Sequence, residues 1–141
     1  MKTALVTGGS RGIGRATALE LGKNFHVVVG FANSEDKAND VVKEIIATGG
    51  SATTVQIDIS NAKSVDDAFT KVEKEYNSVD VLINNAGVTQ DNILPRMKED
   101  EWLEVIQTNL TGSFYTSQRA CLLYTSPSPR DQRGSRMPSS A

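Results

Sequence analysis

Eight residues near the start of the chain, Thr7-Gly8-Gly9-Ser10-Arg11-Gly12-Ile13-Gly14, constrain the fold more than any other feature. They follow an apolar, β-branched run over Thr3–Thr7. They lead into residues 12–23, where Ile13, Ala16, Thr17, Leu19, Glu20 and Leu21 recur at helical spacing, with Gly22 near the end. A strand that turns through glycines into a helix has a specific physical use. Gly8 permits the tight turn, Gly12 lets backbone approach a diphosphate, and Gly14 lets helix and strand pack closely. The helix N-terminus then presents free N–H groups and a positive dipole end to phosphate.

The remaining pattern alternates short apolar strands with amphipathic helices. Phe25–Val29 reads as a second strand closed by Gly30. Ser34 offers an N-cap, with Lys37 where a capping box would place Glu or Gln, and Val41, Val42, Ile45 and Ile46 repeat at helical spacing until Gly49-Gly50. Ala52–Ile57 is a third strand. Asn61 and Ser64 offer caps for a helix through Val65, Ala68, Phe69 and Val72, and Val79–Ile83 is a fourth strand. A loop with Pro95 leads to a helix from about Glu99, with Trp102, Val105, Ile106, Leu110 and Phe114 expected to face inward. This order predicts an α/β fold, a Rossmann-type doubly wound parallel sheet truncated after about four strands. Strands that are nearly all apolar fit a sheet covered on both faces.

Composition limits the function classes. The 141 residues are 38% hydrophobic and 23% charged, with a net charge of −2. Arg130, Arg133, Arg136 and Asp131 give the last 21 residues +2, which leaves −4 on the first 120. An acidic body offers no electrostatic footprint for nucleic acid. No apolar run approaches the ~20 residues that span a bilayer, and no basic-then-apolar leader is present, so the expectation is a cytoplasmic protein without a membrane partner. His26 is the sole histidine and Cys121 the sole cysteine, so no metal site is expected.

Two domain segments are expected. Residues 1–120 form the N-terminal part of a nucleotide-binding domain. Residues 121–141 read Cys-Leu-Leu-Tyr-Thr-Ser-Pro-Ser-Pro-Arg-Asp-Gln-Arg-Gly-Ser-Arg-Met-Pro-Ser-Ser-Ala, a non-native or disordered tail. The tail abandons the helical pattern of Phe114–Ala120 without a cap, and Pro127 and Pro129 bar continuation. Back-translation of Cys121–Asp131 and Ser135–Ala141 resembles a transposase-based sequencing adapter, with Gln132–Gly134 as its barcode. The tail is therefore expected to be an assembly artefact.

Three further signals carry chemistry. A carboxylate about 20 positions after the glycines would hold the ribose 2′-hydroxyl of NAD. Here the second strand runs out through Gly30-Phe31-Ala32-Asn33-Ser34 with none at that place. Arg11 and Arg15 lie near the same pocket, and Arg11 is suited to a 2′-phosphate. The balance favours NADP, with Glu35 and Asp36 assigned to the first turn of the next helix. Asp58-Ile59 follows the third strand, where a carboxylate suits the adenine amino group. Asn84-Asn85-Ala86-Gly87 follows the fourth, where small residues let a cofactor lie across the sheet ends.

The glycine motif, Asp58-Ile59, Asn84–Gly87 and Thr108-Asn109-Leu110 together resemble the short-chain dehydrogenases/reductases over residues 1–120, about half of a typical member. Gly87–Trp102 is similar to the subgroup that reduces 3-oxoacyl chains on acyl carrier protein. The resemblance implies NADPH as cofactor, held by Gly8, Ser10, Arg11, Gly12, Ile13, Gly14, Asn33, Asp58, Ile59, Asn85, Ala86 and Gly87. It implies hydride transfer to the 3-keto group of an acyl-carrier-protein-bound substrate, in a homotetramer. Asn109 matches the family's catalytic Asn, which helps hold a proton-relay water. The family's Ser, Tyr and Lys would lie beyond residue 120, and the tail does not supply them. Tyr115 and Arg119 have a Tyr-x-x-x-basic spacing, but Arg does not shed its proton, so Tyr115 is read as packing. By itself the chain is expected to bind NADPH weakly or not at all and to turn nothing over. Alternatives are an acetoacetyl-CoA reductase or another member of the family, a non-catalytic NADP-binding module, and an interaction protein that uses the tail.

Overall fold

The computed structural model describes residues 1–87, 96 and 98–124, with side chains as far as Cys121. The loop around Pro95 and the tail from residue 125 lie outside the described residues. Four strands form one parallel sheet: β1 (Thr3–Val6), β2 (His26–Phe31), β3 (Ser51–Gln56) and β4 (Val81–Ile83), in the order β3-β2-β1-β4. Register is fixed by Thr3 opposite His26, His26 opposite Ser51, and Ala4 opposite Val81. Parallel neighbours need crossovers, which α1 (Gly12–Leu21), α2 (Glu35–Ala47) and α3 (Ala62–Tyr76) supply. After β4 come α4 (Glu99–Val105), a π-helical stretch Ile106–Thr111 and α5 (Gly112–Tyr124).

The period-two alternation of the strands builds two cores. Val6, Val27, Val29 and Phe31 pack with Ala18 of α1 and Ala38, Val41 and Ile45 of α2 on one face. Leu5, Val28 and Val55 pack with Val65, Phe69 and Val72 of α3 on the other, joined by Tyr115 and Ala120 of α5. The sheet is therefore doubly wound, as the alternation of elements predicts.

Several local expectations are corrected. Gly30 does not close β2; it pairs with Val55 inside it. A Cβ there would stand 3.0 Å from both the Val6 carbonyl oxygen and Ile57, so the glycine serves close packing beneath the β1–α1 turn. Ser34 holds the N-cap position of α2 without a side-chain bond, whereas the Asn61 side chain accepts from the Ser64 N–H at 3.1 Å, as expected. The helix of Phe114 runs on to Tyr124 rather than stopping at Ala120. Cys-Leu-Leu-Tyr has no helix breaker, and the first proline comes three residues later. Trp102 (56% exposed), Leu110 and Phe114 do not face inward. The π turn between α4 and α5 shifts the phase for Leu110 and Phe114, while Trp102 lies ahead of it on α4, which buries no residue.

Candidate nucleotide-binding site

The carboxyl ends of the strands open into one cleft of about 540 Å³, a size suited to a small-molecule cofactor. Its walls are Gly8, Ser10 and Arg11 after β1, Phe31–Ser34 at the end of β2, Gln56–Ile59 after β3, Asn85–Gly87 after β4, and Thr108. In an open parallel sheet the crevice at a topological switch point is where ligands sit. Here the switch lies between β1 and β4.

The β1–α1 turn is held from several sides. The Gly9 N–H donates to the Gly30 carbonyl at 3.0 Å. Thr7 Oγ1 accepts from the N–H groups of both Asn85 and Ala86 at 3.1 Å, and Asn85 Nδ2 donates to the Gly8 carbonyl at 3.0 Å. Gly8 adopts φ +64°, and a Cβ on it would stand 2.8 Å from the Ala86 Cα. Gly12 also lies in the left-handed region (φ +60°), but the space beside it is open. Arg11 stands at the N-cap of α1 in extended backbone without a side-chain capping bond, and no acidic residue occupies the first turn. The leading N–H groups of α1 therefore meet no capping side chain, the arrangement an anion needs.

Arg11 of this turn and Asn33 at the end of β2 line the same cleft. Arg15 does not: its guanidinium pairs with Glu44 and ties α1 to α2. Of the two arginines expected near the pocket, only Arg11, the one expected to contact a 2′-phosphate, lines it. Asp58 accepts from the Ser60 N–H at 3.0 Å and the Ser60 hydroxyl at 2.6 Å, while its own N–H donates to Ser64 Oγ at 2.9 Å. The aspartate is thus held in a local turn with Ile59 beside it. Gly12, Ile13 and Gly14 are not in the cleft wall; they lie in the first turn of α1, Gly12 and Ile13 exposed and Gly14 buried.

Asn109 lies in the π-helical stretch, with its carboxamide against Gly87: a Cβ on Gly87 would stand 2.7 Å from Asn109 Oδ1. Next to it Thr108 faces the cleft. Gln107 Nε2 donates to the Ser60 carbonyl at 2.8 Å, which fastens this stretch to the β3–α3 turn. Phe31, Gln56 and Thr108 are cleft residues that sequence reasoning did not single out, although Thr108 falls in the Thr108-Asn109-Leu110 signal. Gln56 Nε2 donates to the Ala32 carbonyl at 3.2 Å and so closes the floor between β2 and β3.

Tyr115 packs against the α3-side core. Arg119 turns towards α3, donating to Glu73 at 2.6 and 3.0 Å and to Asp66 at 2.8 Å. The Glu73 hydrogen bonds, opposed by burial and assisted by Asp66, hold its guanidinium above its ordinary range. The pair offers no proton donor with a titratable base. Among the described residues no group of three His, Cys, Asp or Glu side chains is placed to hold a metal ion. No described helix is long and apolar enough to cross a membrane.

Comparison with known proteins agrees with this geometry. The sequence model of the short chain dehydrogenase family matches residues 2–131. A 3-oxoacyl-[acyl-carrier-protein] reductase of Staphylococcus epidermidis is 49% identical over 119 residues, covering 84% of this chain and 49% of the relative. One from Synechocystis is 50% identical over 114 residues, covering 80% and 46%. One from Pseudomonas aeruginosa is 42% identical over 121 residues, covering 86% and 49%. The chain therefore spans about half the length of these relatives. Among solved structures, a short chain dehydrogenase from Burkholderia cenocepacia in complex with NADP superposes with a TM-score of 0.80 at 34% identity, covering 86% of this chain and 50% of that one.

Proposed function

Because this chain belongs to the short-chain dehydrogenase family, we propose that it supplies the nucleotide-binding half of an NADPH-dependent reductase acting on 3-oxoacyl chains carried by acyl carrier protein. One observation carries the cofactor reading. Arg11 and Asn33 both line a cleft whose β2 wall presents no carboxylate where NAD would need one. A 2′-phosphate there gains a guanidinium partner and meets no negative charge at the end of β2.

The residues present fit the cofactor. The diphosphate belongs on the uncapped start of α1, from Ser10 to Gly14, with the open flank of Gly12 facing it. Adenine belongs beside Asp58 and Ile59, and the nicotinamide end towards Asn85–Gly87. Bound NADPH supplies the hydride. Asn109, against Gly87, holds the water that relays a proton to the reduced carbonyl, and the family's Ser, Tyr and Lys complete the reaction. The relatives named as 3-oxoacyl-[acyl-carrier-protein] reductases support this substrate class. Trp102, Leu103, Leu110 and Phe114 are exposed apolar residues of the helices after β4, which suits subunit contact in a homotetramer, with the reaction placed in the cytoplasm.

β1 and β2 are buried along their length and β3 and β4 only partly, and the cleft they end in supports weak NADPH binding by the chain itself. Titration followed by nicotinamide fluorescence is expected to show tighter binding of NADPH than of NADH. A chain that responds to neither overturns the cofactor reading. The reaction is tested by joining residues 1–120 to the matching second half of the Staphylococcus epidermidis enzyme. Consumption of NADPH with 3-oxoacyl-[acyl-carrier-protein] is expected. A chimaera that binds NADPH but reduces only the coenzyme A thioester sinks the carrier-protein assignment.

A further inference from the structure

Within the run Asn84–Gly87, residues 85 to 87 line the cleft and Asn84 does not. Its carboxamide meets α5 instead. The Thr116 hydroxyl donates to Asn84 Oδ1 at 2.5 Å, and Asn84 Nδ2 donates to Ser117 Oγ at 3.1 Å. Thr116 is fully buried, so this contact joins the end of β4 to the inner face of α5.

Simple glue would not need this geometry. A helical threonine can satisfy its hydroxyl on its own helix, and here the Ser113 and Gly112 carbonyls lie 3.1 and 3.4 Å from Thr116 Oγ1. The hydroxyl has one proton and three acceptors within reach, and the shortest contact is the one to Asn84. Losing Asn84 therefore leaves Thr116 with a partner and costs little stability. What is lost is the lateral link between strand end and helix.

That link closes a ring. Three residues along the backbone from Asn84 stands Gly87. Two helical turns before Thr116, along the same run of helix, stands Asn109, whose Oδ1 lies 2.7 Å from where a Gly87 Cβ would be. Both routes from Asn84 end at this one contact. We infer that Asn84 is a positioning residue: by clamping the end of β4 to Thr116 and Ser117, it sets the Asn109 carboxamide against Gly87. The consequence for catalysis rests on the reading of Asn109 as the relay residue given above.

The test uses the 141-residue chain, labelled with nitrogen-15 and free of nucleotide. The side-chain amide of Asn109 and the backbone amide of Gly87 are followed in Asn84→Ala, Thr116→Val and the double variant. Each single variant is expected to move both signals in the same direction. The double variant should move them no further than either single one, and the melting temperature of Asn84→Ala should stay close to that of the unsubstituted chain. If Thr116→Val fails to fold, Ser117→Ala, which removes the acceptor of the Nδ2 donation, is read in the same way. Asn109 and Gly87 signals that stay in place in folded variants, or single-variant shifts that add, overturn the inference. Because no nucleotide is present, a chain that ignores NADPH defeats the functional reading while the clamp is still judged on its own signals.

Discussion

Gly14 stands so close to Gly8 that a Cβ on Gly14 would lie 2.2 Å from the Gly8 carbonyl oxygen, and 2.4 Å from the Asn85 Nδ2 that donates to that same oxygen. The start of α1, the glycine turn and the exit of β4 therefore meet at one point with no room for a methyl group. Gly14→Ala is expected to destabilise the chain by about 1–3 kcal/mol, the usual cost of overpacking, and to abolish NADPH binding. Gly12 provides the contrast, since nothing lies within 4 Å of a Cβ there. Its cost is the left-handed backbone alone, roughly 1 kcal/mol, but the new methyl would occupy the flank assigned to the diphosphate. Thermal melts should rank Gly14→Ala as the less stable variant, while titration should show Gly12→Ala folded and poor at binding. The opposite ranking in the melts would contradict the packing account.

Arg11 and Asn33 give the second prediction. Replacing Arg11 with Ala removes the cation proposed for the 2′-phosphate, and a charge-assisted hydrogen bond contributes about 1.5–3 kcal/mol. NADPH affinity should fall on the order of tenfold or more, with NADH affinity nearly unchanged. Asn33→Asp places a carboxylate at the end of β2, suited to a free 2′-hydroxyl and repelling a phosphate. The two substitutions together should reverse the preference between the nucleotides in paired titrations. A preference for NADPH that survives both would remove these residues from the 2′-phosphate site.

The ease with which different parts of the molecule could be read follows from what each residue is asked to do. Gly8, Gly12 and Gly14 are legible because backbone conformation and close approach leave almost no other residue type possible. β1 and β2 are legible because apolar residues on both faces suit a covered parallel sheet, and β3 by its β-branched Thr53, Thr54 and Val55. Gly30 misleads, because a glycine inside a strand and one that ends it look alike until the Val6 carbonyl is known to lie above it. Leu110 and Phe114 mislead because counting at 3.6 residues per turn assumes a uniform helix, and Ile106–Thr111 is wound differently, whereas Trp102 misleads because α4 buries none of its residues. Arg15 sits four positions from Arg11, yet its partner Glu44 lies 29 positions further along and leaves no local trace. Phe31 and Gln56 line the cleft by position alone, without a motif.

Arg119 carries the third prediction. Its side chain is only 18% exposed, and the guanidinium forks onto Glu73 and Asp66 and lies 5.7 Å over the Phe69 ring. Glu73 is largely covered too, whereas Asp66 is well exposed and contributes less through water screening. Arg119→Met keeps the stem packing and removes the charge, leaving Glu73 half-buried without that partner. Stability should fall on the order of 1–2 kcal/mol, and Asp66→Asn should cost clearly less. Denaturant unfolding of the two variants at moderate salt makes the comparison. An equal loss in both would mean that Glu73 is not the main partner.

His26 carries the last. It begins β2, buried, with Nδ1 2.6 Å from Ser51 Oγ and its ring 4.2 Å from the Tyr76 ring, and among the described residues Nε2 meets no hydrogen-bond partner. Burial lowers its pKa below the ordinary value near 6.5, partly opposed by the negative charge of Glu75. A lowered pKa means that the unfolded chain takes up the proton first as pH falls. The stability held by neutral His26 is therefore fully present above about pH 6.5 and is lost as pH drops from there towards the folded-state value. Melting temperature should decline between pH 7 and pH 5.5, before most carboxylates titrate. His26→Gln, which cannot take up a proton, should flatten that stretch of the profile. Glu75→Gln removes the opposing charge, so the decline should steepen. A profile unchanged by His26→Gln would assign the acid sensitivity to groups elsewhere in the fold.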